Sequence, residues 1–530
     1  MLSLLGLLCW KGPHAVSQNS IARVGLWLLV AYIAYEFIRF PISTLTSALE
    51  RRVLLVVAVL AAICAAKATY SLGPRGELYE GEISRTLEVG DRSDSRIPYH
   101  VVQLIALRSG AYGPIAKLTL SPWNFSHRGP IASLAVSPIV LASPIKVLPV
   151  MPDQRWTPFD PQGFSVFRIS MIALACSCLV IVFGLATLFL SEEWAFFAFL
   201  VTITAPFVIH EIYFTWPKLQ AASFVLLAAY LVCTSRYFAA GLCLGFGYLF
   251  HPSALLWTPA LVTMAPLSSA AFAGSGAKTI FTKLYRWSVA AASLGIGLSV
   301  WLLLWKFVNR AHFAQSGFLA YFTQPSGIAT WLQSRYDSLA NTLVPLNLFL
   351  FHRNDPSANP VTAPPLTVVQ FFFQYWTALP FGIGIAFFFC MIRLLGAGFA
   401  MARGWLIWEL IIPLAFVTIY WGASTTGLLR EGLHAWVLGL LVYAVVMWNK
   451  SSGISDRFWR AANWTMLFRG LEAWCMLLLP SILSRHHLTQ PGFRVTDVIS
   501  LLAVTIGTGW LFWQMFSYGE KLRRAECPRN

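Results

Sequence analysis

Apolar residues in this chain come in long unbroken runs, not in the alternating or one-faced patterns of a water-soluble fold. Runs lie near 23–42, 53–72, 168–190, 194–211, 217–234, 237–252, 253–268, 287–307, 367–394, 405–424, 430–448, 468–484 and 495–517. Wound as helices, most are long enough to cross the hydrocarbon core of a bilayer. The two that meet at His251–Pro252 read either as separate helices or as one kinked at the proline. The pattern predicts an all-α polytopic membrane protein with about 11–14 transmembrane helices.

Two long intervals, 73–167 and 308–366, interrupt the series. The predicted organisation is an N-terminal segment (1–22), first transmembrane helices (23–72), a large loop (73–167), a transmembrane bundle (168–307), a second loop (308–366), C-terminal transmembrane helices (367–517) and a basic tail (518–530). Neither loop reads as pure coil. In "IPYHVVQLIALRSG", Val101, Leu104, Ile105 and Leu107 share one side, which suits a helix lying in the headgroup layer. "SGIATWLQSRYDSLANTLVPLNLF" is again helix-like, and "RNDPSANPVTAPP" reads as irregular. The opening "MLSLLGLLCWKGPHAV" has no basic residues before its apolar run, so a cleaved signal peptide is not expected. A short interfacial segment or a frayed end is.

Composition agrees: of 530 residues, 57% are hydrophobic and 11% charged, against roughly 25% charged in soluble proteins. The net charge of +16 does not point to nucleic acid. Its basic residues cluster at the ends of the apolar runs, where topology and anionic lipids place them. None of the nine cysteines falls in the long polar loops and no CxxC occurs, so neither a disulfide framework nor a zinc site is expected. Arg51 and Arg52 put the start of the second run in the cytoplasm. Alternating from there, Arg236, Lys283, Arg286, Arg393, Lys450, Arg457, Arg460, Lys521 and Arg523 all fall on that side. Both long loops then emerge on the opposite, non-cytoplasmic face.

Loops of that size are uncommon without a task. The first holds "GDRSDSRIPYH", with Asp91 and Asp94 just before the interfacial segment. A carboxylate there can take a proton from an attacking hydroxyl, or hold a divalent cation such as Mg or Mn, with Asp91 as a ligand. Glu77 to Glu88 read as a solvated loop. In "WNFSHRGPIASLAVSP", His127 and Arg128 precede a Gly-Pro turn, and the arginine suits either bidentate phosphate contact or anchoring to headgroups. Lys218, after Trp216–Pro217, opens a helix where a cation opposes the macrodipole unless an anion is also present. His251 lies at an apolar segment's end, as a functional group or a hydrogen-bonded core histidine.

The order "GDRSDSRIPYH", an amphipathic stretch ending "LRSG", then "WNFSHRGPIASLAVSP" resembles polytopic glycosyltransferases of the GT-C class, over roughly residues 70 to 260. "YFTWPKLQAA" and "GFGYLFHPSALLWTPAL" fit the same style of helix ends. The resemblance implies transfer of a sugar from a polyprenyl-phosphate donor to a glycan, lipid or protein acceptor on the extracytoplasmic face. It implies a loop aspartate as base or metal-associated group, with Asp94 and Tyr99 fitting better than Asp91, and basic residues on the lipid phosphate. The chain departs from the commoner adjacent acidic pair, since Asp91 and Asp94 are separated by two residues. A bacterial plasma membrane, with the active face periplasmic, is the expected location. Two other readings are a lipid-linked sugar transporter or flippase, and a polysaccharide polymerase or ligase relying on a later basic residue such as Arg353.

Overall fold

The computed structural model describes residues 1–11, 17–39, 47–70, 97–120, 125, 129–144, 161–268, 280–309, 327–344, 378–400, 411, 414–415, 418, 432–450, 455–486 and 495–526. Every regular element among them is helical. Chain order runs α1 (Leu2–Lys11), α2 (Gln18–Arg39), α3 (Ala48–Tyr70), α4 (Ile97–Ala106), α5 (Pro114–Leu120) and α6 (Ile131–Ala142). The central bundle follows: α7 (Pro161–Cys178), α8 (Val180–Ala186), α9 (Glu192–Ile203), α10 (Pro206–Tyr213), α11 (Lys218–Cys233) and α12 (Tyr237–Phe250). A 3-10 turn (Pro252–Trp257) leads into α13 (Thr258–Ser268), α14 (Ile280–Val308) and α15 (Ile328–Leu343). The C-terminal part holds α16 (Leu379–Ile383), α17 (Ile385–Ala400), α18 (His434–Lys450), α19 (Asp456–His486) and α20 (Val495–Glu526).

Four described helical stretches are long and apolar enough to cross a membrane: Ala48–Thr69, Gln162–Ala186, Leu284–Val308 and Val498–Glu526. The pair α9–α10, bent by 63° at Thr204–Ala205–Pro206, makes a fifth if taken as one span. The shortfall from the predicted 11–14 has a local cause. Apolar composition continues through helix breaks at Pro206 and at His251–Pro252, so runs long in sequence become helices of 14 (α12) and 11 (α13) residues. At 1.5 Å per residue these fall well short of a bilayer's thickness. The run at 405–424 lies almost wholly outside the described residues.

The two ends of the bundle differ in chemistry. At one end Lys521 Nζ lies 2.7 Å from Glu193 Oε1, tying the end of α20 to the start of α9. Arg523 pairs with Asp456 at the start of α19, and with Glu520 at 2.9 Å. Aromatic rings fill in beneath, with Trp448 on Trp459 at 4.8 Å and Trp194 on Trp459 at 5.5 Å. These helix ends are the ones that charge alternation assigns to the cytoplasm.

At the other end the first loop is part of the fold. Cys9 and Trp10 of α1 join Leu104, Ile105, Phe125, Leu249 and Trp305 in a second apolar core. Trp10 Nε1 donates to Ser109 O (2.8 Å), and Gln18 Nε2 donates to Ile105 O (2.7 Å). The N-terminus is therefore a packed helix and not a frayed end. In α4 the burial departs from the one-sided pattern that the sequence predicts. Val101, Leu104 and Ile105 face inward, yet Tyr99, His100 and Gln103 are equally buried. Leu107, assigned to the apolar side, is 38% exposed. The polar side tolerates burial because its groups are satisfied nearby: His100 Nδ1 meets Gln103 Oε1 at 2.8 Å, and Ser133 Oγ donates to Pro98 O at 2.8 Å.

In the second loop, α15 is turned inside out. Ser334, Arg335, Ser338, Asn341 and Thr342 are buried, while Ile328, Leu332, Tyr336 and Leu343 are exposed. An apolar outer face and a polar inner one suit a helix whose surroundings are lipid.

Candidate functional site

Buried ionisable side chains gather at the end of the bundle opposite the ion-paired face, around the short helix α10 and the turn after it. Glu211, the last residue of the apolar run at 194–211, is 6% exposed. Its carboxylate bridges two histidines. His434 Nε2, on the first residue of α18, donates to Oε2 at 2.7 Å, and His210 Nδ1 lies 3.3 Å from Oε1. A carboxylate is held inside a membrane bundle only where such partners replace its hydration. Among the described residues no three His, Cys, Asp or Glu side chains form a metal-binding group.

The next residue but one, Tyr213, presents its ring to two buried cations. Arg168 Cζ from α7 lies 4.3 Å from the ring centroid, and Lys67 Nζ from the end of α3 lies 5.3 Å from it. Both are almost fully enclosed, at 3% and 2% exposure. The turn itself is strained. Thr215 is a buried β-branched residue with φ of 60°, a conformation costing on the order of 1–3 kcal/mol and found where surrounding structure enforces it. It brings Trp216 beneath Phe214, with rings stacked at 6.2 Å, and Phe214 in turn stacks on His210 at 5.4 Å.

Three residues singled out in the sequence arrive here. Lys218, the first residue of α11, is buried, with Nζ 5.2 Å from the Trp216 centroid. The π face offsets part of the cost of a cation at a helix N-terminus. His251 meets the same indole from another side, with ring centroids 5.8 Å apart. Its Nδ1 accepts from Ser253 N at 3.2 Å and lies 2.8 Å from Ser253 Oγ, so it caps the 3-10 turn. That cap makes α12 and α13 separate elements and gives His251 a structural role. Tyr99 packs against Phe164 and Phe167 at 5.5 and 5.3 Å, beside Arg168 in sequence. The helix that begins three residues after Asp94 is thereby seated on the helix carrying the arginine. Asp91, Asp94, His127, Arg128 and Arg353 lie outside the described residues.

Sequence reading missed Lys67, Arg168, His210, Glu211 and His434. The signal for one pair was present: "PFVIHEIYF" sets adjacent ionisable residues in an apolar run, which marks a functional position in a membrane helix. The two cations read as ordinary end-of-span residues, and only packing shows them turned inward.

A second buried arginine lies apart from this group. Arg469 of α19 is 1% exposed, with its guanidinium over the Phe387 ring at 5.3 Å and no hydrogen-bond partner among the described residues. One turn on, Glu472 Oε1 accepts from Ile385 N at 3.2 Å, at the break between α16 and α17. Gly384 makes that break with φ of +100°, and a Cβ there would lie 2.8 Å from Arg469 Cγ. No protein-family model, characterised protein or solved structure matches this chain.

Proposed function

We propose that this protein is a membrane glycosyltransferase that moves a sugar from a polyprenyl-phosphate donor to an acceptor hydroxyl, on the periplasmic face of a bacterial plasma membrane. The observation that carries the reading is that Lys67 and Arg168 both lie over the Tyr213 ring, with Lys218 over Trp216 in the turn that follows, while Tyr99 of the helix that follows Asp94 packs on Phe167, next to Arg168 in sequence. In the proposed reaction the acceptor oxygen attacks the anomeric carbon and a glycosidic bond forms. The bond from that carbon to the phosphate oxygen breaks, and its electron pair leaves with polyprenyl phosphate. Asp94 takes the acceptor's proton, and the buried cations stabilise the phosphate dianion that develops. Any divalent cation would sit with Asp91.

The test is release of polyprenyl phosphate from synthetic polyprenyl-phosphate monosaccharides by the purified protein supplied with an acceptor bearing free hydroxyls. Arg168→Gln and Asp94→Asn should each lower the rate by ~100-fold. Full activity in Asp94→Asn, Asp91→Asn and Arg168→Gln proteins that are folded and membrane-inserted would rule this mechanism out.

A second reading, a transporter of lipid-linked sugar, draws on a different observation. Bent or broken helices lined by charged groups are how transporters build mid-membrane sites, and both α9–α10 and α16–α17 are broken beside buried ionisable residues. Substrate movement across reconstituted vesicles with no covalent product would favour it.

A further inference from the structure

Arg469 and Glu472 stand one turn apart near the middle of the 31-residue α19. Opposite charges at that spacing share a helix face and ordinarily pair with each other. Here they do not. Glu472 Oε1 is drawn off by Ile385 N, and the Arg469 guanidinium lies over the Phe387 ring. Arg469 Nε, Nη1 and Nη2 and Glu472 Oε2 are all left buried with no hydrogen-bond partner among the described residues. An arginine cannot shed its proton to escape burial, and an enclosed charge without a hydrogen-bonded counter-charge is strongly destabilising. Both groups converge on the break between α16 and α17. A Cβ at Gly384 would lie 2.8 Å from Arg469 Cγ and 2.9 Å from Glu472 Oε2, so the missing side chain lets both reach the first turn of α17.

We propose that this break is a binding site for a small free α-amino acid, with its carboxylate on Arg469 and its ammonium on Glu472 Oε2. An anion alone would pair with Arg469 but set a second negative charge against Glu472, and a cation alone would do the reverse. A zwitterion pairs with both and adds no net charge to an enclosed region. The guanidinium fork matches a carboxylate in two parallel hydrogen bonds, and the positive end of α17 lies on the same side. Broken helices whose inner N-terminus faces a substrate carboxylate are an established way to build such a site inside a membrane. Depth excludes a lipid head group: Arg469 lies about 20 Å along α19 from Asp456 on the ion-paired face. Close packing at Gly384 restricts the ligand to the smallest side chains, and entry requires the short α16 to swing about that glycine. The site is separate from the Asp94 mechanism and does not depend on it.

Isothermal titration calorimetry of the full chain in detergent near neutral pH, with glycine, acetate and methylammonium as probes, tests the proposal. Wild type should bind glycine saturably and each half-ligand about tenfold more weakly, since each leaves one buried group unpaired. Glu472→Gln keeps the shape but loses the counter-charge for the ammonium, and should weaken glycine about tenfold. Glu211→Gln, at the other buried carboxylate, should leave glycine affinity unchanged. The absence of saturable glycine binding by wild type overturns the proposal. So does acetate binding as tight as glycine, which would make this an anion site of Arg469 alone, and so does equal glycine affinity in Glu472→Gln and wild type. Should Glu472→Gln not fold, the three probes compared on wild type decide the matter by themselves.

Discussion

Glu211 shows what one residue costs and supplies in this setting. Its carboxylate is enclosed and held by His434 at 2.7 Å. Removing one partner of a buried pair leaves the other without compensation, at a cost of about 3–5 kcal/mol. His434→Ala is therefore expected to lower the thermal midpoint in detergent more than Glu211→Gln, because the glutamine keeps the shape and can still accept a hydrogen bond. Equal losses for the two would mean that the pairing does not hold α18 to α10. At this scale the sequence exposed less than it contained: His251 stood out beside its proline, yet it serves as a cap, while the adjacent His210–Glu211 pair carries the buried charge.

Between elements, one close approach on which packing depends is that of α12 and α14. A Cβ at Gly241 would lie 2.0 Å from Leu294 O, and one at Gly297 would lie 2.2 Å from Phe238 O. Small residues that let backbones meet are the usual basis of helix association in lipid. Gly241→Val should separate the helices and lower stability by about 1–3 kcal/mol. Gly295→Val, whose Cβ would meet nothing within 4 Å, should be neutral in the same unfolding assay. Apolar runs located fifteen of the twenty described helices, and α1, α4, α5, α6 and α15 lie outside them. Where helices stop was less legible, because lipid-compatible residues continue through the breaks at Pro206 and His251. Burial of α4 was not legible at all, since its cover comes from α1 and α6, far away in the chain.

Across the whole molecule, the ion-paired face and the buried-charge face make sidedness testable. Ser455 is exposed at the first and Gly327 is exposed ahead of α15. In intact cells an impermeant maleimide should label Gly327→Cys and leave Ser455→Cys unlabelled until the cells are opened. The reverse pattern would invert the orientation read from the basic residues. The ion-paired face should also respond to acid. Hydrogen bonds from Arg523 and Arg460 hold the Asp456 carboxyl below its ordinary value of 3.8. A depressed carboxylate adds stability that is complete above the unfolded value of about 3.9 and is lost as pH falls through the lower folded one. Asp456→Asn should thus lower the thermal midpoint at pH 6 and converge with wild type as the pH falls below about 4. A constant difference across that range would show that Asp456 acts through packing alone.

Hydrophobic composition by itself determined that this chain is helical and suited to lipid, because a backbone without water must satisfy its own hydrogen bonds. The basic residues at helix ends gave a consistent alternation, because charge placement is a local property of each run's flanks. Tertiary structure alone decided which of many polar residues are enclosed together. Lys67, Arg168, Glu211, Lys218 and His434 come from five separate helices. Lys67, Arg168 and His434 are ordinary within their own stretches, and only the packing of the helices brings them onto Tyr213 and Glu211.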